Sequence, residues 1–321
     1  MSIIDSSTDG GMLQTVDALL SSGAGSNLME ILLFSLGTKE TFGINVFKVR
    51  EVSRTPKITK TPNMPMGVVG LISLRGNVIP VVFLAQSMEL SDAPGGLGGS
   101  MMVAEYNKRV LGFLVHAVDR ITRVEWSSVR APESVITGGS HRFITSIVEL
   151  PGNKLVSILD VEQILANTFG EELVPELERL DDSLEYNVFF VDDSTIARKK
   201  IAEVLDRLGV KHKHALNGME AWTRLSNMAS HAQMSKRDLR DEVQLIMVDA
   251  EMPEMDGYVL TRNIKNDPRF NGIPVVMHSS LSSEANRAMG KRVGVDAYVA
   301  KFDAEFLAST LRPLLMKHHR G

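Results

Sequence analysis

Val188-Phe189-Phe190-Val191-Asp192-Asp193-Ser194 is a short apolar run that stops abruptly at two carboxylates and a hydroxyl. Four consecutive apolar residues without polar alternation predict a strand buried on both faces. From Ser194 to Leu208 the pattern turns helical, with Ile196, Ile201, Val204, Leu205 and Leu208 on one apolar face. Further strands are expected at 243–248, 274–279 and 296–300, each separated by a helical pattern. A repeated strand–helix order predicts a parallel sheet covered on both faces. Residues 228–242 are polar and read as an insertion before the strand at 243–248.

Chemistry-bearing residues fall where these strands end. Asp192 and Asp193 come directly after the first strand, and Asp249 directly after Leu245-Ile246-Met247-Val248. Ligands of open α/β sheets sit beyond the carboxyl ends of the strands, so neighbouring strands would bring three carboxylates together. Three like charges in one cleft repel unless a hard cation binds them, and oxygen donors without thiols point to Mg²⁺. Ser279 and Lys301 end two more strands. A hydroxyl and an ammonium facing carboxylates and Mg²⁺ suit a transferred phosphoryl group, which needs donors and positive charge at its oxygens. Taken singly, Asp192 and Asp193 could be a helix N-cap and Lys301 a solvated loop lysine. All five falling on strand ends in order favour a joint site.

Upstream the rhythm is that of short strands. Gly70-Leu71-Ile72-Ser73-Leu74 and Val78-Ile79-Pro80-Val81-Val82 flank a turn read on Gly76-Asn77. Residues 144–150 and 154–159 flank Pro151-Gly152-Asn153, a second hairpin signal. Such strands and turns predict small barrels or a sandwich. Residues 92–100 are a Gly-rich loop without the Lys-Ser/Thr pair of a phosphate cradle. Leu173, Leu177, Leu180 and Leu184 punctuate an acidic stretch at helical spacing, which predicts a partly helical linker.

The length of 321 residues suits two domains, and 44% hydrophobic with 23% charged residues excludes wholesale disorder. No apolar run approaches a membrane span, and the first residues lack a secretory signal. With no cysteine, disulfides, thiol nucleophiles and Cys-based metal centres are excluded, and a reducing cytoplasm is the natural compartment. Residues 1–186 hold 15 Lys and Arg against 22 Asp and Glu, and residues 187–321 hold 20 against 17. Neither half has the positive excess of a nucleic-acid surface. The split suggests two units with different jobs.

Residues 187–316 resemble a two-component response-regulator receiver domain. The resemblance lies in Val191-Asp192-Asp193-Ser194, Val248-Asp249-Ala250-Glu251-Met252-Pro253-Glu254-Met255-Asp256-Gly257, Met277-His278-Ser279-Ser280 and Tyr298-Val299-Ala300-Lys301. It implies a flavodoxin-like fold with a five-stranded parallel sheet. It also implies Asp249 as phosphoacceptor and Mg²⁺ bound by Asp192, Asp193, Asp249 and the Glu251 backbone carbonyl. Ser279 and Lys301 would contact the phosphoryl group, and Tyr298 would be the aromatic that changes rotamer with state. Phe302 stands where that family usually has proline.

Residues 29–166 resemble the CheW family of chemotaxis coupling proteins, through residues 42–52, 67–81 and 155–165. This resemblance implies a mainly-β domain of paired small barrels. Phe83 and His116 stand where that family often has acidic residues. Glu51 and Arg75 could form a surface ion pair or a docking contact. The joined arrangement resembles the CheV family. It divides the chain into a flexible tail (1–28), a coupling domain (29–166), an acidic linker (167–186) and a receiver (187–318).

The resemblance implies a chemotaxis adaptor that bridges chemoreceptors and the histidine kinase CheA, regulated by phosphorylation of Asp249. It would sit in the cytoplasm at membrane-associated receptor arrays, without membrane insertion, nucleic acid or turnover of an external substrate. In an alternative the receiver is chiefly a phosphate sink. A receiver-gated enzyme would need a nucleophile–base constellation, and no G-x-S-x-G elbow is present. A transcription regulator would need a helix-turn-helix after the receiver.

Overall fold

A computed structural model describes residues 28–90, 99–106, 109–130, 143–170, 173–181, 183–280, 284–301 and 303–318. The expected tail apart from Leu28, which begins the first strand, most of the Gly-rich loop and Phe302 lie outside the described residues.

The first sheet contains β1 (Leu28–Ser35), β2 (Thr41–Asn45), β8 (Ala117–Glu125), β9 (Val129–Arg130), β10 (Ile144–Leu150) and β11 (Lys154–Leu159), in the order β8-β1-β2-β11-β10-β9. The second contains β3 (Val49–Arg54), β4 (Val68–Leu74), β5 (Asn77–Phe83), β6 (Ser100–Tyr106) and β7 (Arg109–Val115), in the order β3-β6-β7-β5-β4. Among the described residues, this half has α1 (Leu84–Ser87) after β5 and α2 (Val161–Phe169) after β11.

Period-two alternation explains why both sheets are apolar on both faces. Ile31 and Leu33 join Val129, Val148, Val156 and Ile158 in an interior belonging to the first sheet. Leu32 and Phe34 point the other way and meet Met102 and Phe113 of the second sheet. Ile72, Ile79, Val81, Met101 and Leu114 fill the second sheet's own interior. Each sheet thus encloses a core and shares another, in keeping with paired small barrels. Each such side chain contributes about 1.5–3 kcal/mol of burial.

The β4–β5 reversal sits one residue earlier than the Gly76-Asn77 expected from sequence. Leu74 pairs with Asn77, and Arg75 and Gly76 have φ of 49° and 83°. Positive φ at both central residues defines the hairpin turn whose twist matches the strands.

The second half is a parallel sheet of β12 (Asn187–Val191), β13 (Lys211–Ala215), β14 (Leu245–Val248), β15 (Val275–Ser279) and β16 (Ala297–Ala300), in the order β13-β12-β14-β15-β16. One face packs on α3 (Thr195–Leu208) and α7 (Ala304–His318), and the other on α4 (Gly218–Met234) and α5 (Gly257–Asn266). Helix α6 (Glu284–Val293) lies between β15 and β16 in the chain. Successive strand residues again take opposite sides: Phe190 and Met247 face α3, whereas Phe189 and Ile246 face α4 and α5.

Two expectations are corrected. The first half of the polar stretch 228–242 continues α4 to Met234, because Ala229 and Ala232 keep its apolar face buried. The acidic stretch is not helical: residues 173–181 have no regular secondary structure. Leu173 is 91% exposed, whereas Val174, Leu177 and Leu180 pack on the receiver core. A three-residue spacing places one side of an extended chain on a surface as readily as one side of a helix. The Arg207 guanidinium donates to the Pro175 carbonyl, and Arg312 to those of Glu178 and Arg179, in place of helical N–H groups.

Candidate functional site

Parallel pairing aligns the strand ends. Val191 lies opposite Val248, and Val248 opposite Met277, so the next residues of each strand emerge side by side. The Asp249 amide donates to the Val191 carbonyl at 3.0 Å, and the Lys301 amide to the Ser279 carbonyl at 2.9 Å. Local turns orient the first carboxylates. Asp192 Oδ1 accepts from the Ser194 amide at 2.9 Å, and Arg198 Nη1 donates to the carbonyls of Asp192 and Asp193, each at 2.8 Å. Ser194 caps α3 by accepting from the Ala197 amide.

The loop after Asp249 returns tightly. Asp256 caps α5 by accepting from the Val259 amide at 2.8 Å, and the Gly257 amide donates to the Ala250 carbonyl. A Cβ on Gly257 would lie 1.9 Å from the Asp249 carbonyl oxygen, so no side chain fits there.

Asp192, Asp193 and Asp249 each present a carboxylate oxygen within 4.8 Å of the others. Lys301 Nζ lies 2.9 Å from both Asp249 Oδ2 and Asp192 Oδ2. Ser279 is buried at the end of β15, and the Tyr298 side chain hydrogen-bonds to it. Glu251 lies two residues beyond Asp249 with its side chain largely buried. Glu51 and Arg75 are ion-paired, on β3 and the β4–β5 turn, and are not part of this cluster.

Carboxylates outnumber ammonium groups here, and their protonation reflects it. Burial pushes Asp192 well above the usual carboxylate range, with Lys301 opposing and Asp249 adding to the effect. Burial and then Asp249 push Asp193 up to about 8, and burial, opposed by Lys48, pushes Glu251 up to about 7. Burial also raises Asp249, against the pull of Lys301. Lys301 stays charged: its carboxylate neighbours outweigh its own burial and hold it well above the usual lysine range. Clustered oxygen donors that resist ionisation together fit a hard divalent cation, which would offset their repulsion.

His278, buried on β15, carries a pH signature. Burial, with Lys301 adding, pushes its imidazole down to about 3 from 6.5, and Nδ1 has no hydrogen-bond partner. The folded state therefore holds His278 neutral while the unfolded chain takes up a proton below pH 6.5. Stability from this group is intact above that pH and falls by about 1.4 kcal/mol per unit as pH drops toward 3. Urea unfolding at pH 6.5 and 4.5 should show a loss about 2–3 kcal/mol smaller in His278→Leu than in wild type. Equal losses would remove His278 as the cause.

Among the described residues of the first half, Glu162 and Lys48 reach this site without any cue in the sequence pattern. Glu162, the second residue of α2, is 6% exposed and places Oε1 3.4 Å from Lys301 Nζ. Lys48, in the turn before β3, lies 3.8 Å from Glu251 Oε2. Asp160 capping Gln163 marks the start of α2, but nothing in that local pattern points 139 residues ahead to Lys301.

Residues 30–169 match the family model of the CheW-like domain, and residues 188–312 match that of the response regulator receiver domain. Fold and site thus define a coupling-type β domain joined to a receiver. The chemotaxis protein CheV3 of Helicobacter pylori is 31% identical over 280 residues, spanning 86% of this chain and 89% of its own. CheV1 of the same organism is 26% identical over 312 residues, spanning 90% and 94%, and CheV2 is 24% identical over 300 residues, spanning 86% and 91%. The chain belongs to the CheV family of chemotaxis proteins. Among its described residues no helix is long and apolar enough to cross a membrane.

Proposed function

We propose that this CheV-family chain links chemoreceptors to the histidine kinase CheA, and that phosphorylation of Asp249 regulates the link. The supporting observation is the meeting of Asp249 with Lys301 at 2.9 Å, beside Asp192 and Asp193 at one sheet end. An Asp249 oxygen attacks the phosphorus of the kinase's phosphohistidine in line. The P–N bond breaks, its electron pair returns to the imidazole, and the new P–O bond leaves an acyl phosphate. Lys301 and the Ser279 hydroxyl donate to the phosphoryl oxygens. Asp192, Asp193 and Asp249, with the Glu251 carbonyl, would hold Mg²⁺, which when bound supplies positive charge to those oxygens. Drawing the Ser279 hydroxyl onto the phosphoryl group competes with its bond to Tyr298, so Tyr298 becomes free to change rotamer. The receiver assists only its own phosphotransfer; the chain acts as an adaptor at receptor arrays in the cytoplasm.

The test is reconstitution of chemoreceptor and CheA with this protein, unphosphorylated and phosphorylated. CheA activity should depend on the protein and should differ between its two states. Equal activity with and without it would overturn the adaptor reading, and a state-independent effect would overturn regulation by Asp249.

A further inference from the structure

Among the described residues, the contact between the two halves pairs α2 with α3 and includes a crossed pair of charges beside the carboxylate cluster. An anion of the β domain, Glu162, meets a cation of the receiver, Lys301, at 3.4 Å. In the reverse sense Lys48 of the β domain lies 3.8 Å from the buried Glu251 carboxyl of the receiver. Glu162 Oε2 is buried without a hydrogen-bond partner. Lys48 is backed by the Tyr106 ring, whose centroid lies 5.6 Å from Nζ. Under this contact Asp192, Asp249 and Lys301 are 0%, 4% and 3% exposed.

Lys301 is therefore shared between Asp249 and a carboxylate from the other domain. A phosphoryl group on Asp249 would bring its own anionic oxygens to the same ammonium. Both cannot be held there without like charges meeting in a largely buried site, where Asp193 alone of the three carboxylates is partly exposed. A kinase phosphohistidine also needs an open, in-line approach to Asp249.

Resting on the reading of Asp249 as phosphoacceptor, we infer that Glu162 and Lys48 form a latch that closes the β domain over the receiver site, and that the latch and the phosphoryl group exclude each other. By linkage, phosphorylation that opens the latch must itself be favoured when the latch is broken. Two exclusive arrangements of the domain contact would thereby transmit the state of Asp249 to the coupling domain.

The test uses the full chain, Mg²⁺ and acetyl phosphate, so that no kinase docking is involved. The phosphorus–acetyl oxygen bond breaks, acetate leaves, and the Asp249 acyl phosphate forms. Glu162→Gln and Lys48→Met should each label at least about fivefold faster than wild type. Their charge changes are opposite, so a purely electrostatic effect would speed one and slow the other. Spin labels on Asn167→Cys and Lys199→Cys, in a chain with no cysteine of its own, should move apart on phosphorylation of otherwise wild-type protein. Wild-type labelling rates in both variants, opposite changes, or an unchanged spin–spin distance would overturn the latch. Wild-type labelling that persists in Asp249→Asn would instead overturn the phosphoacceptor reading, so the two failures are distinguishable.

Discussion

Asp249→Asn should acquire no phosphoryl label from phospho-CheA, whereas wild type should acquire label that is lost in base, as an acyl phosphate is. The substitution keeps the size of the side chain and removes the anionic oxygen that must attack phosphorus. It also removes one carboxylate from a cluster whose members already resist ionising together, while Asp192 and Glu162 remain as partners of Lys301. The variant should therefore fold, with a melting temperature in the absence of divalent cations no lower than that of wild type. It should still couple receptor to kinase through the β domain. Wild-type labelling in this variant would move the phosphorylation site elsewhere. Loss of coupling together with label would make the receiver a requirement for assembly.

Asp193→Ala should weaken Mg²⁺ binding by about 100-fold, or about 3 kcal/mol, through the loss of one of three carboxylates that converge on the cation position. Phosphotransfer should fall with it, because Asp249 would then face the incoming phosphoryl group with less positive charge nearby. The fold should survive. Asp193 caps no helix: Ser194 performs that task, and the Asp193 backbone carbonyl that Arg198 binds is retained in alanine. Titration calorimetry with Mg²⁺ and labelling with phospho-CheA check both effects. Normal phosphotransfer with normal Mg²⁺ affinity would remove Asp193 from the metal site.

Physical patterns of short range were readable in the linear chain. A short unbroken apolar run such as Val188 to Val191, followed by a helical pattern, favours a strand covered on both faces, and parallel strands deliver the residues after their carboxyl ends to one edge of the sheet. Asp192, Asp193, Asp249, Ser279 and Lys301 could therefore be assigned to a common edge before any coordinates. Hairpins were legible because φ above zero favours glycine and asparagine, as at Gly152 and Asn153, although at the β4–β5 turn Arg75 takes one of the two positive-φ positions. Where two conformations share a spacing, the local pattern failed. Leu177 and Leu180 are three apart, and only packing on the receiver, with Arg207 and Arg312 taking the backbone carbonyls, selected the non-helical path. Where α4 ends was likewise decided by Ala229 and Ala232, small residues that look like loop in a polar stretch and become core once a sheet lies beneath them. The largest decision left to tertiary structure is the meeting of Glu162 with Lys301 and of Lys48 with Glu251. Charge pairs across two domains leave no periodicity in a sequence, and Glu162 and Lys48, unlike Lys301, end no strand of the parallel sheet that would mark them.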